Sequence, residues 1–219
     1  SEECLKHLND LVEKSVGQLL SVRKECHASR LEVEQMKHLR DLTSKFTLDV
    51  GELTGFHGQK VEGIILGQAR AFMEKKHERQ KSTLLGQLDG ERWTQVDVSE
   101  QRQAMIDALS SGGVLIGYAG LAGEAAGRKG LKKDALVAGV KYKVVWSALL
   151  AVTMVTAQLH LVSYFPTLAK DAASRIAELL RLYNSHATQL VLGAGALHSE
   201  AKLKSITAKH LALCCQSLG

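Results

Sequence analysis

Nine histidines and four cysteines are the side chains of this 219-residue chain best suited to metal or nucleophilic chemistry. A single helix offers two imidazoles to one metal when they stand about four residues apart, as in H-E-x-x-H. His7, His27, His38, His57, His77, His160, His186, His198 and His210 are all spaced more widely, and His77-Glu78 is followed by Lys81 where the second ligand belongs. Cys4, Cys26, Cys214 and Cys215 form no C-x-x-C and no secreted-style framework, so they read as thiols of a reducing compartment. The adjacent pair points about 100° apart on a helix, which suits packing better than coordination. A cysteine and a histidine brought together by the fold remain open at this level. Gly193-x-Gly195 offers two glycines of a dinucleotide fingerprint, but His198 stands at the third position, the preceding residues read as helix, and no acidic residue follows Glu200. Gly127-Arg128-Lys129-Gly130 lacks the spacing of a phosphate-binding loop, and no G-x-S-x-G elbow occurs. The expectation is therefore no catalytic residue, no metal ligand and no cofactor site. Gly193 and Gly195 instead read as small residues that let helices approach closely, at a helix-propensity cost of about 1 kcal/mol each.

The elements around these residues are helices. Hydrophobic residues make up 45% and charged residues 23%, as in an ordinary globular protein rather than a disordered tail. One proline, Pro166, stands where average usage would give about eleven, which permits long uninterrupted helices. Aromatics are only 5%, against a sandwich or barrel. The net charge of +5 is spread among acidic residues, as in Glu74-Lys75-Lys76-His77-Glu78-Arg79, which reads as solvated helix faces rather than a nucleic-acid stripe.

Apolar steps of three and four run through Leu5, Leu8, Val12, Val16, Leu19, Val22 and Cys26, then through Met36, Leu39, Leu42, Phe46, Val50 and Leu53 up to a Thr54-Gly55 break. A third helix is expected from about Gln59 to Leu88, ended by Asp89-Gly90. Asp97 or Ser99 then caps a short helix. Residues 1–109 thus form an N-terminal helical part. Residues 110–133 hold seven glycines and four basic residues without a stripe, and read as a flexible insertion. Residues 134–219 form a C-terminal helical part. Lys143 and Lys170 bracket 26 residues without a formal charge, long enough to span a bilayer. The run carries Ser147, Thr153, Thr156, Gln158 and His160, so a buried central helix is the better reading. Pro166 suits the first turn of the next helix. The chain opens at Ser1 in mid-pattern and stops just after an apolar helix, and is expected to be a piece of something longer.

Three stretches in order resemble the vacuolar protein sorting-associated protein 54 family. Gln68-Ala69-Arg70-Ala71-Phe72 leads through His77-Glu78-Arg79 to Leu88-Asp89-Gly90-Glu91-Arg92-Trp93. Lys141-Tyr142-Lys143-Val144-Val145 opens the uncharged helix. Tyr183-Asn184-Ser185 then leads through Gln189-Leu190-Val191-Leu192-Gly193-Ala194-Gly195-Ala196-Leu197 to Ile206-Thr207-Ala208-Lys209-His210-Leu211-Ala212-Leu213. The resemblance covers about 39–218 and corresponds to the middle of the family chain.

It implies an all-α fold, an elongated rod or bundle of antiparallel helices. It also implies a non-enzymatic scaffold segment of a subunit of the Golgi-associated retrograde protein (GARP) tethering complex. Such a subunit helps capture endosome-derived carriers at the cytosolic face of the trans-Golgi network. The partners implied are the other subunits, SNARE proteins and small Golgi GTPases, with peripheral membrane association and no nucleic acid. From the residues themselves, Arg128, Lys129, Lys132 and Lys133 are candidates for contact with anionic membrane, against a passive linker. A generic helical adaptor or cytoskeletal rod module shares every bulk feature, and a single-span membrane protein is the further alternative.

Overall fold

The chain turns from helix to loop where glycine or a polar cap satisfies the orphaned backbone groups of a helix end. In a computed structural model, residues 2–27, 32–55, 59–112, 132–193, 203 and 205–218 are described. They form α1 (Glu2–His27), α2 (Val33–Thr54), α3 (Gln59–Asp89), α4 (Glu100–Ser111), β1 (Ala135–Val137), β2 (Val140–Tyr142), α5 (Trp146–Tyr164), α6 (Ala169–Val191) and α7 (Ala208–Leu218). Gly55 (φ 73°) closes α2 by donating its N–H to the carbonyl of Gly51 at 2.8 Å. Ser99 opens α4, its hydroxyl oxygen accepting from the N–H of Arg102 at 3.3 Å. Pro166 begins a short 3-10 turn, Pro166–Leu168, leading into α6. The fold is all-α: among the described residues, seven helices accompany one two-stranded sheet.

Two compact units divide the chain. The first comprises 1–76 with 164–168, the second 77–163 with 169–219. In the first unit, Val33, Met36, Val61, Ile65, Phe72, Met73, Phe165 and Leu168 are buried. Tyr164 is fastened to α2: its phenol donates to Glu34 at 3.2 Å, and its carbonyl accepts from Arg40 at 2.7 Å. The cationic ends of Lys37 and Arg40 lie 5.2 and 5.5 Å from its ring centroid.

Residues 146–163 of α5 form the centre of the second unit. This helix is long and apolar enough to cross a membrane, yet most of it is covered by protein, and its polar side chains are tied inside. Gln158 donates to Gln80 at 2.8 Å, Gln80 donates to the Met154 carbonyl at 3.2 Å, and Thr153 and Thr156 bond back to the preceding turn. The carboxylate of Glu91, itself buried, accepts from the N–H of Ser147 at 2.9 Å and from that of Trp93 at 3.3 Å. A negative side chain thus caps the first turn of α5, where the helix dipole favours it.

The structure corrects the reading of 141–145. Instead of opening the uncharged helix, Lys141 and Tyr142 belong to β2, and the helix begins at Trp146. β1 and β2 pair antiparallel with Val137 opposite Val140, joined by Ala138 (φ 49°) and Gly139 (φ 84°). Positive φ at both central residues gives the turn whose twist matches a hairpin. Two polar groups hold the hairpin in place: the side-chain amide of Gln103 accepts from the N–H of Leu136 at 2.9 Å and donates to its carbonyl at 2.7 Å. Lys132, at the end of the expected insertion, exchanges two backbone hydrogen bonds with Val98, at 2.7 and 2.9 Å. Residues 113–131 lie outside the described residues.

Candidate functional site

In the first unit the leucines of α1 stand off the helix's packed side, while Val12 and Val16 of the same stripe are half-buried. Asn9, Glu13 and Gly17 are buried, whereas Leu5, Leu8, Leu11 and Leu19 are exposed, Leu19 by 73%. At about 100° per residue, the buried face is centred roughly a quarter-turn from the stripe that the leucines and valines form. The cause lies in α3. A Cβ on Gly17 would come 2.9 Å from the end of Ile64, so α1 approaches α3 closely on its glycine side. Lys60 anchors the same side, its ammonium 2.8 Å from Asp10 and 3.6 Å from Glu13. Its hydrogen bond and charge hold the Asp10 carboxyl below the usual range, and Asp10 in turn raises Lys60. Asp10, Glu13, Lys14, Gly17, Gln18, Lys60 and Ile64 line an open cavity of about 930 Å³.

The α2 helix buries Val33 and Met36 near its start and repeats the arrangement further along. Thr43 and Thr47 are buried, while Leu42, Leu48 and Leu53 are exposed, Leu53 by 80%. Leucine outside and asparagine, glutamate and threonine inside is the reverse of what burial in a monomer selects. Contiguous exposed apolar surface is a general feature of protein and membrane interaction sites.

The second unit carries a smaller cavity of about 330 Å³ among α4, the hairpin, α5, α6 and α7, walled mainly by Ile106, Val144, Leu149, Val152 and Tyr183. Burial pushes the Tyr183 phenol up to about 12 and the Cys214 thiol up to about 11, so neither is an ionised nucleophile near neutral pH. Cys214 is buried, whereas Cys4 and Cys215 are exposed. Of the histidines, His77 is buried with Nε2 2.9 Å from Glu178, whose other carboxylate oxygen lies 2.7 Å from Lys81. The hydrogen bond from Lys81, then that from His77, holds the Glu178 carboxyl down to about 2. His186 is 2.7 Å from Asp89. These contacts brace one helix against another. Among the described residues, no three His, Cys, Asp or Glu side chains converge to hold a metal.

The residues singled out in the sequence fall apart in space or outside view. Gly193 is exposed in the turn after α6, where an added Cβ would come 2.6 Å from the carbonyl oxygen of Gln189. The demand for glycine there is made by its own helix end. Gly195 lies outside the described residues, as do Arg128 and Lys129. Lys132 and Lys133 are exposed beside the hairpin. Two features escaped the sequence reading. The outward turn of the leucines depends on α3, far along the chain. The hairpin did carry a local signal, the β-branched pair Val137 and Val140 around Ala138-Gly139.

Residues 139–219 match the family model described as Vps54-like protein, from the hairpin turn through α7. Over 221 residues the chain is 33% identical to vacuolar protein sorting-associated protein 54 of Homo sapiens, covering 99% of this chain and 22% of the relative. The Rattus norvegicus protein of that name is 31% identical over 219 residues, with the same two shares covered. A chloroplastic protein of that name from Arabidopsis thaliana is 26% identical over 267 residues, covering 91% of this chain and 26% of the relative. The chain thus spans 22–26% of the length of these relatives. No solved structure gives a significant match. With the domain at its C-terminal end and similarity along nearly its whole length, the chain belongs to the Vps54 family.

Proposed function

We propose that this chain is a non-enzymatic scaffold segment of a vesicle-tethering complex subunit acting in retrograde transport from endosomes to the trans-Golgi network. It works at the cytosolic face of that membrane, in company with the other tether subunits, SNARE proteins and small Golgi GTPases. The observation that carries this reading is the leucine face of the first unit: Leu5, Leu8, Leu11 and Leu19 on α1, with Leu42, Leu48 and Leu53 on α2, stand exposed. Fully burying one such side chain is worth about 1.5–3 kcal/mol, so a partner helix that covered several of them would bind firmly. The pairs Lys60–Asp10 and Lys81–Glu178 each tie one helix to another, which suits a scaffold.

Affinity purification of the tagged full-length protein from a detergent-free extract tests the proposal. Stoichiometric recovery of the other subunits of the retrograde tether is expected, and recovery of none from a soluble, folded bait would refute it. The double variant Leu8→Asp, Leu11→Asp tests the surface. It should stay folded, because both side chains are about half exposed and neither belongs to the buried core, and it should lose one or more of those subunits. Full recovery with a folded double variant would remove the leucine face from the argument.

A further inference from the structure

The 132–143 hairpin sets a cluster of lysines behind an apolar turn. Residues 132–143 hold four lysines, Lys132, Lys133, Lys141 and Lys143, against the single acid Asp134. All four lysines are exposed, and among the described residues no ion pair takes up their ammonium groups. Asp134 accepts from the side chain of Gln95 at 3.1 Å. Beyond the lysines the chain projects an apolar end: Val137 is 38% exposed, its cross-strand partner Val140 54%, and Ala138 and Gly139 are open between them.

The turn carries a second, independent mark. Ala138 holds φ 49°, the left-handed region that disfavours a residue with a Cβ. Asparagine or aspartate is the usual first residue of such a turn, because its polar side chain tolerates that conformation. Alanine there keeps the tip free of polar atoms at a conformational cost. A Cβ at neighbouring Gly139 would meet no atom within 4 Å, so the turn has open space beside it.

We propose that the 132–143 hairpin docks on an anionic lipid bilayer, its Val137–Val140 tip entering the headgroup layer and its four lysines facing acidic headgroups. A positive collar around an apolar point complements a negatively charged interface with an apolar interior. This inference deepens the tether reading and rests on it for its setting, because a tether subunit works against a membrane.

Vesicle sedimentation of the full 219-residue chain tests it, using phosphatidylcholine vesicles with and without phosphatidylserine as about a third of the lipid. Binding to the acidic vesicles is expected, with little to the neutral ones. It should fall steeply as salt rises from about 0.1 M to about 1 M and the screening length shrinks from about 10 to about 3 Å. Lys141→Gln with Lys143→Gln should weaken partitioning about 25-fold, at about fivefold per lysine. Val140→Ser should weaken it about tenfold. Ala138→Asn separates binding from folding: it should raise the melting temperature while lowering partitioning. Equal partitioning of the parent and all three variants would overturn the proposal. So would loss of tether-subunit recovery on Val140→Ser with vesicle binding unchanged, which would make the tip a protein contact. Recovery of the subunits with hairpin-independent vesicle binding sinks the hairpin alone. Hairpin-dependent vesicle binding without the subunits upholds it and sinks the tether reading.

Discussion

Replacing Glu91 by alanine should unlatch the start of α5. The carboxylate is 8% exposed and accepts from two backbone donors, the N–H of Ser147 at 2.9 Å and that of Trp93 at 3.3 Å. A hydrogen bond to a charged group contributes about 1.5–3 kcal/mol, and a buried donor left without a partner costs about 1–3 kcal/mol. Ser147 is wholly buried, so its N–H has no route to water once the acceptor is gone. Trp93 is equally buried and holds φ 53°, a backbone position that the bond to Glu91 helps to maintain. Counting the shorter bond at about 2 kcal/mol and the longer at about 1 kcal/mol gives a loss of about 3 kcal/mol. Glu91→Gln keeps one acceptor oxygen and turns an amide towards the other donor, so it should lose about half as much. The chain's two tryptophans both border this corner: Trp93 follows Glu91, and Trp146 opens α5 with the guanidinium of Arg102 4.4 Å from its ring. Intrinsic fluorescence during urea unfolding therefore reports on it directly. The midpoint should fall by about 1–2 M for the alanine variant, with glutamine between it and the parent. Equal midpoints for parent and alanine variant would refute the capping argument. A glutamine variant no more stable than alanine would show that removal of charge, not loss of the acceptor, sets the cost.

Two further outcomes follow from the second unit. Glu178 has its pKa held down to about 2 in the folded chain, below its ordinary 4.5, so the Lys81 and His77 contacts stabilise the fold fully above about pH 4.5 and lose that effect as pH falls towards 2. Because Glu178 is half exposed, solvent screening limits the effect to about 1 kcal/mol or less. Glu178→Gln should thus lower the urea midpoint at about pH 6 and match the parent near pH 2; a difference that persists unchanged at the acid end would contradict the ion-pair account. Cys214, buried and with its thiol pushed up to about 11, should resist alkylation in the native chain while Cys4 and Cys215 react. Peptide-level mass spectrometry after a brief iodoacetamide pulse reads this out, and equal labelling of Cys214 and Cys215 would place the α7 contact with Ala187 in error.

Periodicity and punctuation located the helices because both act over a few residues. Thr54-Gly55 ends α2 with Gly55 in the left-handed region, Asp89-Gly90 marks the end of α3, and Ser99 opens α4 because its oxygen reaches the N–H of Arg102. The buried character of 146–163 was equally legible, since a charge-free run interrupted by Gln158 and His160 fits an interior with partners better than lipid. The Lys141-Tyr142-Lys143 stretch misled because three-residue strands leave almost no alternation to read, and the hairpin depends on Gln103, thirty-three residues upstream, to hold Leu136.

The sequence alone determined that the chain is helical and that its thiols and imidazoles are too scattered along it for a local metal or nucleophile motif. Its three ordered stretches determined the family. Which face of each helix is covered was decided only in three dimensions. The stripe through Leu5, Leu8 and Leu19 is as regular as any core stripe, and local spacing says only that those residues share a side. Gly17 against Ile64 and Lys60 beside Asp10 turn α1 onto its polar side and leave the leucines outward. Burial is a property of what lies opposite, and the residues opposite come from a helix about fifty positions away.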